Sequence, residues 1–307
     1  MRSVLLLLCV LFSACAPSSS HINDDEVIDI STEWELSVLP LNAQSSVSVG
    51  KINLPHIFTP YFIAQFNSFQ GYAILTKRVF VPEHFRAMPL MVHLGNIGDA
   101  DKTYFNGRLI GFEGKFPPEE FSLWNKTRIY TCNPEIIRYG SINTIQVHVA
   151  CYAYNRIVGG IFIKPLKKEE QLSFYNYIHD IKFSLPLYLN AGTGITFLLI
   201  VLLLCGNKAF RSQYIAFMLQ MIPGFFVILE PSMPIPLFES TITRMKCFGI
   251  SWSLLVFFHL LFLHRIYGYS RRKIEFALAG ITLFCCLLII FAKSISSIKV
   301  ASITAIA

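Results

Sequence analysis

Charged residues are scarce in this chain. Lys, Arg, Asp and Glu make up 15% of its 307 residues, against roughly 25% in an ordinary soluble domain. With 53% hydrophobic residues, the chain is too apolar to be disordered and a poor fit to a wholly soluble protein. The apolar residues come in long runs rather than in alternation, which excludes an outer-membrane barrel. Short catalytic motifs are missing too: there is no phosphate-binding glycine loop, no G-x-S-x-G, no H-E-x-x-H and no C-x-x-C. No cofactor or metal is therefore expected. The net charge of +7 does not imply a nucleic-acid partner, because basic residues at the ends of membrane helices produce the same total.

What is present falls into three zones. The first is a targeting segment over residues 1–14: Arg2, then the apolar run Val4 to Phe12, too short to span a bilayer. The stretch Leu11-Phe12-Ser13-Ala14-Cys15 looks like a bacterial lipobox and makes Cys15 the expected site of lipidation. A polar leader follows over 15–29.

The second zone, about 30–170, reads as short strands separated by turn signals: Ile28–Val38, Val47–Leu54, Gly71–Val81, Leu90–Leu94, Thr127–Tyr130, Thr144–Cys151 and Gly160–Leu166. Asn106-Gly107 splits Thr103–Phe105 from Leu109–Phe112, the strongest short-range hairpin signal, because a type I′ turn needs φ > 0 at both central residues. Many short strands without a strong amphipathic helix predict an all-β sandwich.

The third zone is membrane. After a juxtamembrane segment at 171–183, four apolar stretches predict spans at about 184–206, 213–229, 247–267 and 274–292, then a tail at 293–307. Lys208 and Arg211 follow the first span; Arg265, Arg271, Arg272 and Lys273 lie between the third and fourth. Both loops fall on one side, which the positive-inside rule makes cytoplasmic. The opposite loop, Glu230 to Lys246, starts acidic and proline-rich, with Arg244 and Lys246 as dissenting charges. The β-domain is thus expected outside, on the periplasmic face of a bacterial inner membrane crossed several times. His259 stands inside the third span, where an ionisable group is a functional candidate; the plainer reading is a neutral imidazole bonded to a neighbouring helix. Pro223-Gly224 is a candidate hinge in the second span.

Only Cys132 and Cys151 remain in the exported domain. They could bridge two strands or stay as two buried thiols.

Several segments carry a resemblance: Tyr72 to Pro82, Leu94 to Ala100, Tyr104 to Gly111, Arg128-Ile129-Tyr130, and Gly140 to Val149, with Trp34 and Leu54-Pro55-His56 ahead of them. Together they resemble the galactose-binding-like jelly roll that serves as the sugar-binding domain of family 2 glycosidases. Such a domain outside, followed by several membrane helices, looks like the bacterial seven-transmembrane receptors with diverse intracellular signalling modules. The resemblance implies a jelly-roll sandwich, a carbohydrate-like or other small ligand, and output through a cytoplasmic signalling protein. Four spans stand where that family has seven and no effector follows Ala307, so a truncated or split member, or one working through a partner, is expected.

Within the sandwich, Trp124, Tyr152, Tyr154 and Arg156 are the candidate ligand contacts, since aromatic faces stack on sugars and an Arg fork binds hydroxyls or carboxylates. Their loops would lie at the end of the sandwich. Asn106, Gly107, Gly140 and Asn143 read as turn residues. Glu119-Glu120 and Asp99/Asp101 are paired acids in apparent turns, explained as solvated loops. Family 2 hydrolysis needs two carboxylates on a separate barrel, which nothing after Leu166 supplies. The expectation is a non-enzymatic membrane sensor. Its rivals are a membrane-anchored carbohydrate-binding module and a structural envelope subunit.

Overall fold

The computed structural model describes residues 27–39, 45–68, 70–166, 211–232, 240–268 and 271–293, with isolated positions at 188–199, 238 and 297–298. The signal segment, Cys15, most of the leader, the juxtamembrane segment and nearly all of the first expected span lie outside these residues.

The chain opens with β1 (Ile28–Asp29), β2 (Trp34–Leu39), β3 (Val47–Ile52) and β4 (His56–Ile57), then α1 (Thr59–Phe66) and β5 (Gly71–Val81). Next come β6 (Leu90–Ile97), β7 (Ala100–Phe105), β8 (Arg108–Glu113), β9 (Thr127–Cys132), β10 (Ser141–Cys151), β11 (Arg156–Val158) and β12 (Phe162–Pro165). They form two antiparallel sheets. One runs β3-β2-β5-β10-β7-β8. The other runs β1-β12-β6-β11-β4, with β9 also paired to β6.

Alternation along the strands builds the core. Trp34, Leu36 and Val38 of β2 are buried, as are Ile145 and Val147 of β10, while their neighbours are more exposed. These side chains meet Leu90, Val92 and Leu94 of β6 and Phe58 and Phe62 from the α1 segment. The Trp34 indole N–H donates to Ile30 O at 2.5 Å, so the largest core residue leaves no polar group unpaired. Asn106 and Gly107, at φ 49° and 80°, make the expected hairpin between β7 and β8. The Asn106 amide bonds Asn143 and Ile136, which keeps both asparagines in turn-building roles.

The sequence pattern missed α1. Eight residues carry too little periodicity to announce a helix, although Pro60 in its first turn and Asn67 at φ 47° just past its end are ordinary boundary residues.

Among the described residues three helices follow: α2 (Arg211–Ser232), α3 (Thr241–Ile266) and α4 (Arg272–Phe291). Of these, α3 and α4 are each long and apolar enough to cross a membrane, and α2 contains a shorter apolar stretch, Ser212–Ile228. They pack antiparallel. Phe217 meets Phe262 and Gly224 faces Leu255 between α2 and α3. Lys246 donates to Ile290 O, and Arg265 forms a two-pronged ion pair with Glu275, between α3 and α4. Pro223 and Gly224 sit within α2, which continues through them.

The expected 230–246 loop is a correction. It shrinks because α2 runs to Ser232 and α3 begins at Thr241, with the Ser240 hydroxyl capping Thr243 N–H. Proline and polar residues hid a helix start that a side-chain cap makes favourable. Arg244 and Lys246 are thus helical residues. His259 projects from the exposed surface of α3.

Candidate functional site

Three connections converge at one end of the sandwich: the Gly98–Asp99 turn between β6 and β7, the 114–126 segment between β8 and β9, and the 152–155 turn between β10 and β11. Two buried acids organise them. Asp99 and Asp101 are fully buried, which corrects the reading of both as solvated turn residues. An aspartate beside a glycine looks like a turn in sequence. Here it is an internal hydrogen-bond acceptor.

The Asp99 carboxylate accepts the backbone N–H groups of Tyr152, Ala153, Tyr154 and Asn155, the last at 2.8 Å. Four consecutive amides that would otherwise be buried without partners are thereby satisfied. Burial nevertheless outweighs these bonds and pushes the Asp99 carboxyl up to about 6.

Asp101 pairs with Arg128, also fully buried. Arg128 Nε donates to Asp101 Oδ1 at 2.6 Å, one terminal nitrogen to the Leu123 and Lys126 carbonyls, and the other to those of Ile97 and Asp99. All five guanidinium donors are used. Tyr130 Oη and Thr103 Oγ1 complete the shell of Asp101. Arg128 thus fastens the 123–126 loop to the 97–99 turn. The sequence reading noted it only as part of a motif; a charged residue at an inward strand position, two before Tyr130, was the available signal.

The four candidate contacts separate. Trp124 and Tyr154 come together, ring centroids 5.5 Å apart and planes tilted 36°. The Trp124 indole N–H is buried with no acceptor. Tyr154 and Arg156 flank Gly98, where an added Cβ would lie 2.7 Å from Tyr154 Cβ and 3.3 Å from Arg156 Cγ. Tyr152 does not join them. It is 2% exposed, its hydroxyl donates to Lys115 O, and it makes no ring contact with Trp124 of the kind Tyr154 makes.

Tyr152 instead belongs to a contact that the sequence gave no reason to expect. With Ala100, Ala150 and Ala153 it packs against Ile242 and Met245 in the first turns of α3. Ile242 and Met245 also touch Ile289 and Ala292 at the end of α4. Ser122 is the polar centre of this joint. Its N–H donates to Thr241 Oγ1 at 2.8 Å, its carbonyl accepts from Arg244 at 2.6 Å, and its hydroxyl donates to Gly98 O at 2.7 Å. Gly98 N–H in turn donates to Arg156 O at 2.7 Å. Thr241 and Arg244 are buried at 2% and 4% exposure. The dissenting positive charge of the outer loop is therefore engaged with the sandwich rather than with solvent.

Cys132 and Cys151 are separate buried thiols, one in each sheet, so the bridge considered for them is absent. Burial pushes the Cys132 thiol up to about 12. Asn125 of the Asn125-Lys126-Thr127 sequon is buried, a poor acceptor for a glycan. Glu119 forms an exposed pair with Lys115. Among the described residues no group of three or more His, Cys, Asp or Glu side chains could hold a metal ion.

No family model and no curated protein matches the chain. Similar solved structures include glycosidases. A β-D-glucuronidase of Dictyoglomus thermophilum is 18% identical over 42% of this chain and 20% of its own, with a TM-score of 0.32. A glycosyl hydrolase family 2 member from Bacteroides cellulosilyticus is 16% identical over 46% and 20%, with a TM-score of 0.35. A β-glucuronidase of Ruminococcus gnavus is 12% identical over 46% and 28%, with a TM-score of 0.34. The chain spans less than a third of the length of each of these structures.

Proposed function

We propose that the chain is a membrane-bound sensor of a bacterial inner membrane. An exported galactose-binding-like jelly roll would take a carbohydrate-like or other small ligand, and the helices would pass its occupancy to a cytoplasmic signalling partner. In this reading the chain spans the membrane several times, is lipidated at Cys15, and catalyses nothing itself. The basic turn at Arg271 and Arg272 faces the cytoplasm. That turn lies at the opposite end of α3 from the sandwich contact, about 39 Å away for 26 residues, which suits this orientation.

The observation that carries the reading is the Ser122 joint. An inert anchor needs only a tether, whereas here a buried, hydrogen-bonded loop of the sandwich is seated on the first turn of a candidate membrane helix. The same loop bears Trp124 two residues later. The Trp124 and Tyr154 rings offer an apolar face that suits a sugar C–H surface, and the buried, unpaired indole N–H is a donor that a sugar hydroxyl would reach on opening of this loop. A ligand that prefers one arrangement of this loop shifts α3 by that differential affinity.

The test is a glycan array probed with the detergent-solubilised full chain, followed by hydrogen exchange at Ser122 with and without a bound hit. Binding that Trp124→Ala abolishes, with altered Ser122 exchange, is the expected result. Binding that leaves Ser122 unmoved makes the chain an anchored carbohydrate-binding module instead.

A further inference from the structure

An uncharged surface lies at the same end of the sandwich as the Ser122 joint. From Ile52 to Thr76 the chain holds no Asp, Glu, Lys or Arg. Within this stretch α1 closes the end of the sandwich, with Phe58 and Phe62 fully buried in the core. The outer face of α1 carries Pro60, Ile63 and Ala64, spaced so that they stand side by side, and all three are exposed. Ile63 is 43% exposed and Ile57, just ahead of the helix, 56%. His56 is the one group of the stretch that titrates near neutral pH. It bonds Tyr61 Oη at 3.1 Å, and burial holds its imidazole below the ordinary range, so it stays neutral. A helix that is apolar on every side is normally buried on every side. Here one apolar face is left exposed.

Hydrogen bonds fix α1 relative to the joint. Phe58 N–H donates to Asn155 O at 2.8 Å, and the Asn155 side-chain amide donates to Thr59 Oγ1 at 3.3 Å. Past the helix, the Gln70 side-chain amide reaches Tyr152 O at 3.5 Å. Both ends of α1 are therefore tied to the 152–155 turn, which packs on Ile242 and Met245 of α3.

The length of α3 sets the level of this surface. Its 26 residues measure about 39 Å, against about 30 Å of hydrocarbon in a bilayer. The excess leaves roughly one helical turn at each end in the headgroup layer. The 152–155 turn is seated on that first turn, so α1 is held at the level of the lipid headgroups beside it.

We propose that the outer face of α1, with Ile57, is an interfacial foot that rests in the lipid leaflet where α3 begins. The inference rests on the reading of α3 as a membrane span. The occupant of the exposed face is the bilayer surface, because the face is continuous with the seat on a membrane helix. The foot carries no charged side chain, so its hold comes from apolar area rather than from anionic headgroups. It gives the sandwich a second point of support on the membrane besides the Ser122 joint.

Photo-crosslinking identifies the occupant directly. Ile63→p-benzoylphenylalanine is irradiated in the full chain held in phosphatidylcholine nanodiscs, and the peptide holding position 63 is weighed for an added phospholipid. Ile57→p-benzoylphenylalanine reports on the same face should the first variant misfold. Two further positions serve as controls. Phe80 is 55% exposed and lies about 30 Å along β5 from Gly71; Phe248 is a partly exposed residue of α3 itself. Lipid adducts at 63 and 248, and none at 80, are the expected result. The yield at 63 should not change when part of the lipid is replaced by phosphatidylglycerol. An adduct at 248 without one at 63 or 57 overturns the foot and leaves the sensor standing. So does a crosslink from 63 to a second copy of the chain, an equal yield at 80, or a yield that requires phosphatidylglycerol. No adduct at either 63 or 248 overturns the membrane span and the foot together.

Discussion

Replacing Arg128 by Met tests the packing of the candidate site most severely. Arg128 and Asp101 are both fully buried, and the guanidinium uses all five donors. Met fills much of the volume but strands the Asp101 carboxylate and four backbone carbonyls. Removing one partner of a buried pair costs about 3–5 kcal/mol, because the remaining charge is left without compensation. At roughly 2–4 °C per kcal/mol for a domain of this size, the sandwich should melt about 6–20 °C lower. The assay is calorimetry or near-ultraviolet circular dichroism of the full chain in micelles. Without Arg128 the buried Asp101 carboxyl is pushed further up, since burial already raises it against the pull of the arginine. The folded variant then takes up a proton before the unfolded chain does, so its deficit is largest at neutral pH and shrinks on acidification. Arg128→Met with Asp101→Leu, which removes both charges, should recover a substantial part of the loss. A shift under about 2 °C at pH 7.5, less than 1 kcal/mol, would refute the argument. So would a double variant no better than the single one.

Further outcomes follow from other contacts. Thr241→Val keeps the shape of the α3 start but removes the acceptor of the Ser122 N–H; a buried donor left unpaired costs about 1–3 kcal/mol, so Ser122 exchange should quicken about 5- to 150-fold with β5 and β10 unchanged. Gly98→Ala places a methyl 2.7 Å from Tyr154 Cβ; a loss of about 1–3 kcal/mol and an altered near-ultraviolet signal from Trp124 are expected, and an unchanged spectrum would contradict the crowding. Cys132 and Cys151 are buried with thiols held protonated, so maleimide at pH 7.5 should modify them only on denaturation, as mapped by peptide mass spectrometry. A reporter joined after Tyr267 should be active only on the cytoplasmic side; periplasmic activity would reverse the proposed orientation.

Much of the architecture was legible from local pattern. Alternation marked most of the strands, Asn106-Gly107 marked its hairpin, and uninterrupted apolar length marked α3 and α4. Each signal is carried by neighbours in the chain, with a period that burial imposes directly. Errors fell where a long-range partner changes what a residue means. Asp99 and Asp101 looked like solvated turn residues because their partners lie 27 to 56 positions away, in Arg128, Tyr130 and the 152–155 turn. Arg244 looked like a charge on the wrong side of a membrane because Ser122 is 122 positions distant. Tyr152 and Tyr154 are two residues apart and similar in kind, yet one rests on α3 while the other faces Trp124.

Residue order alone thus determined that this chain has a strand-rich part and an apolar helical part, because hydrophobic periodicity and run length are local properties that water enforces on any fold. Only the tertiary structure decided that the two parts are joined through Ser122, and that two aspartates are buried acceptors rather than surface charges. A hydrogen bond or an ion pair depends on which groups meet after the chain has closed on itself, and nothing in either partner's own neighbourhood records that meeting.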